Sequence, residues 1–71
     1  MKRVPVTSTT IESVGYDAAS RTLEIEFKSR GSVYQYFDVP GQVHAALMAS
    51  QPHPGTFLHA NIKGRYRYAR V

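Results

Sequence analysis

The plainest pattern in the chain runs from Arg21 to Lys28. Leu23, Ile25 and Phe27 alternate with Glu24, Glu26 and Lys28. A period of two marks a half-buried strand, with the apolar trio turned to a core and the charges to water. Thr9 to Tyr16 reads as its partner. Val14 and Tyr16 alternate there, but Ile11 falls on the other parity, and a bulge near Ser13 or Gly15 reconciles them. Asp17-Ala-Ala-Ser20 is the hairpin connection, since Asp17 and Ser20 can bond local backbone. Ser29 to Gly31 is a short turn in which Gly31 can take a positive φ. Ser32 to Phe37 is a third strand, with Tyr34 and Tyr36 on one face and Val33, Gln35 and Phe37 on the other.

The period changes at Asp38-Val-Pro40. Proline suits the first turn of a helix, and Asp38 or the residue after it suits the cap and the positive end of the helix dipole. From Pro40 to Ala49, Val43, Ala46 and Leu47 form an apolar stripe. Ser50-Gln-Pro-His-Pro54 stops that helix, with the break near Pro52. Gly55 to Lys63 reads as a second helix with Phe57, Leu58 and Ile62 inward, ended by Gly64. Tyr66 to Val71 pairs as an edge strand or lies as an extended tail. Residues 1–8 lack periodicity and are expected to form a flexible arm, leaving 9–71 as a single domain. The expected fold is α+β: a three-stranded antiparallel meander covered on one face by two short helices, with the C-terminal segment at its edge.

Composition narrows the function classes. A chain of 71 residues buries only about 60% of its unfolded surface, which leaves little room for a deep catalytic cleft. Without cysteine there is no disulfide and no thiolate metal site. No apolar run approaches the roughly 20 residues that cross a bilayer, and Met1-Lys-Arg-Val-Pro-Val6 lacks the apolar stretch of a secretory signal. A cytoplasmic protein without membrane contact is the expectation. The net charge of +4 is unevenly placed. All five acids (Glu12, Asp17, Glu24, Glu26 and Asp38) precede Val39; beyond it stand four cations, three histidines and no acid. One basic flank can orient a domain toward a polyanion.

Several of these segments together resemble a known family. They are Ile11-Glu-Ser-Val-Gly-Tyr-Asp17, Thr22-Leu-Glu-Ile-Glu-Phe27, Val33-Tyr-Gln-Tyr-Phe-Asp-Val-Pro40, Val43, Leu47, Gly55-Thr-Phe57 and Ile62. The combination resembles the KTSC domain, which occurs at the C-terminus of some lysyl-tRNA synthetases and as small stand-alone bacterial proteins. Its central Tyr-x-Tyr is here Tyr34-Gln35-Tyr36. The resemblance spans roughly residues 8 to 66 and implies an RNA-associated role, through the synthetase attachment. The chain departs from it at Ser50-Gln-Pro-His-Pro-Gly55, where a shorter, less proline-rich link is expected.

The chemistry-bearing stretch is Lys63-Gly-Arg-Tyr-Arg-Tyr-Ala-Arg-Val71. Lys63, Arg65, Arg67 and Arg70 can hold phosphates, and Tyr66 and Tyr68 can stack on bases. The alternative is that the tyrosines pack on the domain and the arginines solvate its edge. Tyr34 and Tyr36 are likewise either a stacking platform or part of the core. His44, His53 and His59 have no spacing that brings two onto adjacent turns of one helix, so no metal site is expected. His44 is expected as a solvated helix residue. No serine stands in a nucleophile elbow and no glycine-rich loop cradles phosphate. Glu24 and Glu26 should face water rather than act as an acid–base pair. No catalytic residues and no cofactor are expected. Two function classes follow: a non-catalytic module binding RNA through the C-terminal segment, or a protein-interaction or self-assembly module.

Overall fold

The computed structural model describes residues 2–71. Five strands and two helices follow one another as β1 (Arg3–Pro5), β2 (Ile11–Asp17), β3 (Thr22–Phe27), β4 (Val33–Tyr36), α1 (Gly41–Ala49), α2 (Pro54–Asn61) and β5 (Tyr68–Arg70). The strands form one antiparallel sheet in sequence order, β1-β2-β3-β4-β5. The α+β class and the two helices match the expectation, and the C-terminal segment takes the edge-strand form of its two expected alternatives; with a further strand at Arg3–Pro5 the expected three-stranded meander becomes a sheet of five.

Both additional strands are short edges. Arg3–Pro5 pairs with Ser13–Gly15 of β2 instead of hanging free as part of an arm at 1–8. Three residues are too few to show periodicity, so this strand leaves no hydrophobic signature. At the other edge, β5 pairs with β4, setting Tyr68 opposite Tyr36 and Arg70 opposite Tyr34.

The central register follows from the alternation. Val14 faces Ile25, Tyr16 faces Leu23, Ile25 faces Tyr34 and Leu23 faces Tyr36. The register shift between Ile11 and Ser13 is the bulge that the parity of Ile11 required. It returns Ile11 to the core face opposite Phe27. Asp17 closes the β2–β3 hairpin by accepting the Ala19 amide and the Ser20 hydroxyl. A single 3-10 turn at Ser29–Gly31 joins β3 to β4, with Arg30 and Gly31 at positive φ.

Ile11, Val14, Leu23, Ile25, Tyr36, Val39, Leu47, Leu58 and Ile62 make one buried cluster between sheet and helices. The helix cap differs from the expectation. Asp38 takes a positive φ and Val39 is wholly buried, which leaves Asp38 short of the helix start. Pro40 occupies the cap, and its carbonyl accepts the Val43 and His44 amides. Of the stripe in α1, Leu47 is buried, Val43 half-buried and Ala46 exposed. Pro54 opens α2 rather than ending α1, a position where its missing N–H costs nothing. The two helices are separated as expected, across Ser50–His53. Gly55 lets the first turn of α2 approach the segment leading into β2 closely: a methyl there would come 2.7 Å from the Thr10 Oγ1. No helix among the described residues is long and apolar enough to cross a membrane.

Candidate nucleic-acid interface

The helices do not cover the whole core face of the sheet. Over its centre the side chains are sealed, with Leu23 and Ile25 fully buried. Toward β5 the cover runs out: Tyr34 is half-buried and Tyr68 is 62% exposed. Strand pairing aligns these rings. Tyr68 lies 5.9 Å from both Tyr34 and Tyr36, tilted by 45° and 36° respectively, and Phe27 meets Tyr34 edge-on at 5.7 Å. The four rings form one wall of a groove of about 550 Å³. Lys63 and Gly64, just past α2, make its rim, and Thr10, Ser29 and Ser32 line it with hydroxyls. Gly64 has a φ of +81°, which turns the chain out of α2 and back toward the sheet edge.

The Tyr34 and Tyr36 pair is thus shared between the core and the groove. Tyr36 is 2% exposed and belongs to the core cluster, whereas Tyr34 packs against that cluster from its margin. Burial, and the neighbouring Tyr34 and Tyr68, push the Tyr36 phenol above its ordinary titration range.

The fold divides the six C-terminal residues. Lys63 and Tyr68 line the groove, and Arg70 shares its face and donates to the Ser32 hydroxyl at 3.3 Å. Arg67 is held elsewhere. It donates to the Asp38 carboxylate at 3.2 Å, and its guanidinium lies 5.7 Å from the Phe37 ring centre. Tyr66 is half-buried against the core cluster. Arg65 is exposed beside a shallower depression lined by Phe37, Tyr66, Arg67 and Tyr68. The linear interleaving of arginine and tyrosine becomes three surroundings, because alternate residues of a strand face opposite ways.

The opposite face of the sheet carries the two acids of β3, Glu24 and Glu26. Contrary to the expectation of a fully solvated charge row, Glu24 is only 7% exposed. Arg3 from β1 pairs with Glu24 and lies 3.7 Å from Glu26, and Gln35 donates to Glu24 at 2.9 Å. Ser13 receives the Arg3 Nε–H at 3.1 Å and donates to Glu26 at 2.8 Å. The Gln35 amide first, and then Arg3, hold the Glu24 carboxyl below its ordinary range against the opposing cost of burial. This cluster fastens β1 to the sheet. The sequence signal for it is Arg3 itself, a cation within the segment expected to be an arm.

No cluster of three metal-ligating side chains occurs among the described residues. His44 is half-buried rather than solvated. Its ring stacks on Tyr16 at 4.7 Å with an interplanar angle of 8°, and burial lowers its pKa.

The KTSC domain model matches residues 7–66. The chain belongs to the KTSC family. A KTSC domain protein from Yersinia pestis has a crystal structure that superposes with a TM-score of 0.92 at 38% identity, covering 99% of this chain and 96% of that one. An uncharacterized protein of Stutzerimonas stutzeri is 38% identical over 71 residues, which is 100% of this chain and 99% of its own. A lysine–tRNA ligase of Trichormus variabilis is 39% identical over 61 residues, spanning 86% of this chain but 10% of the ligase. The range matched by the KTSC model includes Tyr34, Tyr36, Lys63 and Arg65, while both edge strands, β1 and β5, lie outside it.

Proposed function

We propose that this KTSC domain is a non-catalytic binding module for single-stranded RNA, which it engages along the β4–β5 edge. The observation that carries the reading is the meeting of Lys63, Tyr68 and Arg70 with Tyr34 and Tyr36 at one open groove that no carboxylate lines. Flat aromatic faces take bases without regard to sequence, and flanking cations take phosphates. The two acids of β3, Glu24 and Glu26, are on the opposite face, tied to Arg3, Ser13 and Gln35. The relationship to a domain-sized segment of lysine–tRNA ligases supports an RNA ligand, since those proteins act on tRNA. Arg65 adds a cation beside the groove, and Arg67 contributes less because it points away from the groove to an exposed pair with Asp38.

The test is fluorescence anisotropy of a labelled single-stranded oligoribonucleotide over a range of salt concentrations. The wild-type protein binds, and its affinity falls steeply with salt. Replacing Lys63, Arg65 and Arg70 together by glutamine weakens binding and flattens the salt slope by about 0.7 for each phosphate contact removed. Equal binding by this variant would contradict the reading.

A second reading has its own observation. The outer edge of β5 is unpaired in the monomer, and Tyr68 and Val71 are exposed beside it. Such an edge can add a strand from a second copy or another protein. Concentration-dependent dimerisation in sedimentation, without RNA binding, would select this interaction module instead.

A further inference from the structure

The groove holds a polar group that the fold itself does not use. Tyr36 is almost wholly buried, yet no described residue hydrogen-bonds its hydroxyl, and no buried side-chain oxygen or nitrogen is left without a partner. The hydroxyl is therefore not sealed in the core; it opens on the groove that the ring lines. Ser32 presents a second donor. Its oxygen accepts the Arg70 guanidinium at 3.3 Å, which leaves its own proton to be given across the groove. Tyr68 stands over the same space with most of its ring open to solvent. Lys63 supplies a cation at the rim.

We propose that this groove seats one unstacked nucleobase, with Tyr68 stacked on the base, the Tyr36 and Ser32 hydroxyls donating to acceptors on its edge, and Lys63 on the adjoining phosphate. The inference rests on the RNA reading above and makes it specific. A volume of about 550 Å³ lies within the roughly 300–1,000 Å³ of small-ligand pockets. The chemistry favours a base over an apolar protein side chain. A flat group with acceptors on its edge and an anion attached satisfies ring, hydroxyls and ammonium together. A leucine or phenylalanine would cover the same ring but leave the hydroxyl donors unpaired, which is costly once water is excluded. The Tyr36 phenol is a neutral donor at physiological pH, as any tyrosine is, and burial only reinforces that.

The decisive variant is Tyr36→Phe, which keeps the ring in the core and removes only the hydroxyl. Against a short oligouridine at fixed low salt, its affinity falls about 3- to 10-fold, the effect of one neutral hydrogen bond. Its salt slope stays that of wild type, because no phosphate contact is lost. Tyr68→Leu loses about tenfold or more through stacking, also without a change of slope. A ribose-phosphate oligomer without bases binds wild type and Tyr36→Phe equally, and more weakly than oligouridine binds wild type. Ser32→Ala provides the same comparison from the rim if Tyr36→Phe melts early. Undiminished oligouridine binding by Tyr36→Phe and Ser32→Ala, or equal wild-type affinity for the base-free oligomer, overturns the base seat while RNA binding stands. Absence of wild-type binding to oligouridine at low salt overturns both.

Discussion

The two edge strands of the sheet are each three residues long and each carries an arginine, but those arginines serve different ends. Arg3 of β1 lies on the outer face, where it meets Glu24, Glu26 and Ser13. Arg70 of β5 shares the core face with Tyr34 and reaches only the neutral Ser32 hydroxyl. The difference comes from where the chain keeps its acids. All five precede Val39, and two of them project from β3 onto the face that Arg3 covers. Strand β4, which receives β5, is Val33-Tyr-Gln-Tyr36 and contains no carboxylate. A cation paired with a buried carboxylate holds structure together, whereas one without an acid partner remains available to a phosphate.

The largest effect that could break this comparison lies beneath both edges. Leu23 is fully buried in the strand that carries Glu24. Leu23→Ala is expected to cost about 2–5 kcal/mol, enough in so small a domain to unfold it. Thermal or urea melting checks this, and a melting temperature near that of wild type would show that the core is not where the register places it.

Next in size is Arg3→Met. It leaves Glu24 mostly buried, with Gln35 but without its cation, and is expected to cost about 1–2 kcal/mol, less than a fully buried pair because Arg3 is partly solvated. The effect depends on pH. The folded carboxyl of Glu24 titrates below its unfolded value, so the stabilisation is fully present above that unfolded value and is lost as the pH falls through the folded one. The gap between wild type and Arg3→Met therefore narrows in acid. Urea melts at neutral and strongly acidic pH read it directly; a gap that widened in acid would contradict the assignment of Arg3 to Glu24.

The smallest stability effect belongs to β5. Arg70→Gln replaces an exposed side chain with one neutral partner and is expected to change stability by no more than about 0.5 kcal/mol. It should nonetheless weaken RNA binding and lower the salt slope by about 0.7. Arg3 and Arg70 thus exchange sensitivities: one variant loses fold stability, the other loses affinity.

How far the chain was legible follows the same divide. Strands β2, β3 and β4 announced themselves because alternating residues such as Leu23, Ile25 and Phe27 meet a core on one side only. The helices were visible through the change of period, although the second ends at Asn61, short of the Gly64 expected to stop it. Strand β1 was not visible, since Arg3-Val-Pro5 is too short to alternate and its side-chain partners, Glu24 and Glu26, lie two strands away. The C-terminal stretch was recognised as basic and aromatic. Its division was not, because Arg67 is withdrawn by Asp38 and Phe37, which pairing of β4 with β5 alone brings near. Phe27 and Ser32 joined the groove without any local signal of their own.

The central claim is that the β4–β5 groove, and not the β1 face, takes single-stranded RNA. An amide and aromatic NMR titration of the uniformly labelled protein with a short single-stranded RNA at low salt tests it most directly. The account predicts saturating shifts concentrated at Tyr34, Tyr36, Lys63, Tyr68 and Arg70, with Arg3, Glu24 and Glu26 unmoved. Shifts centred on Arg3 and Glu24, or a spectrum unchanged at saturating RNA, would contradict it.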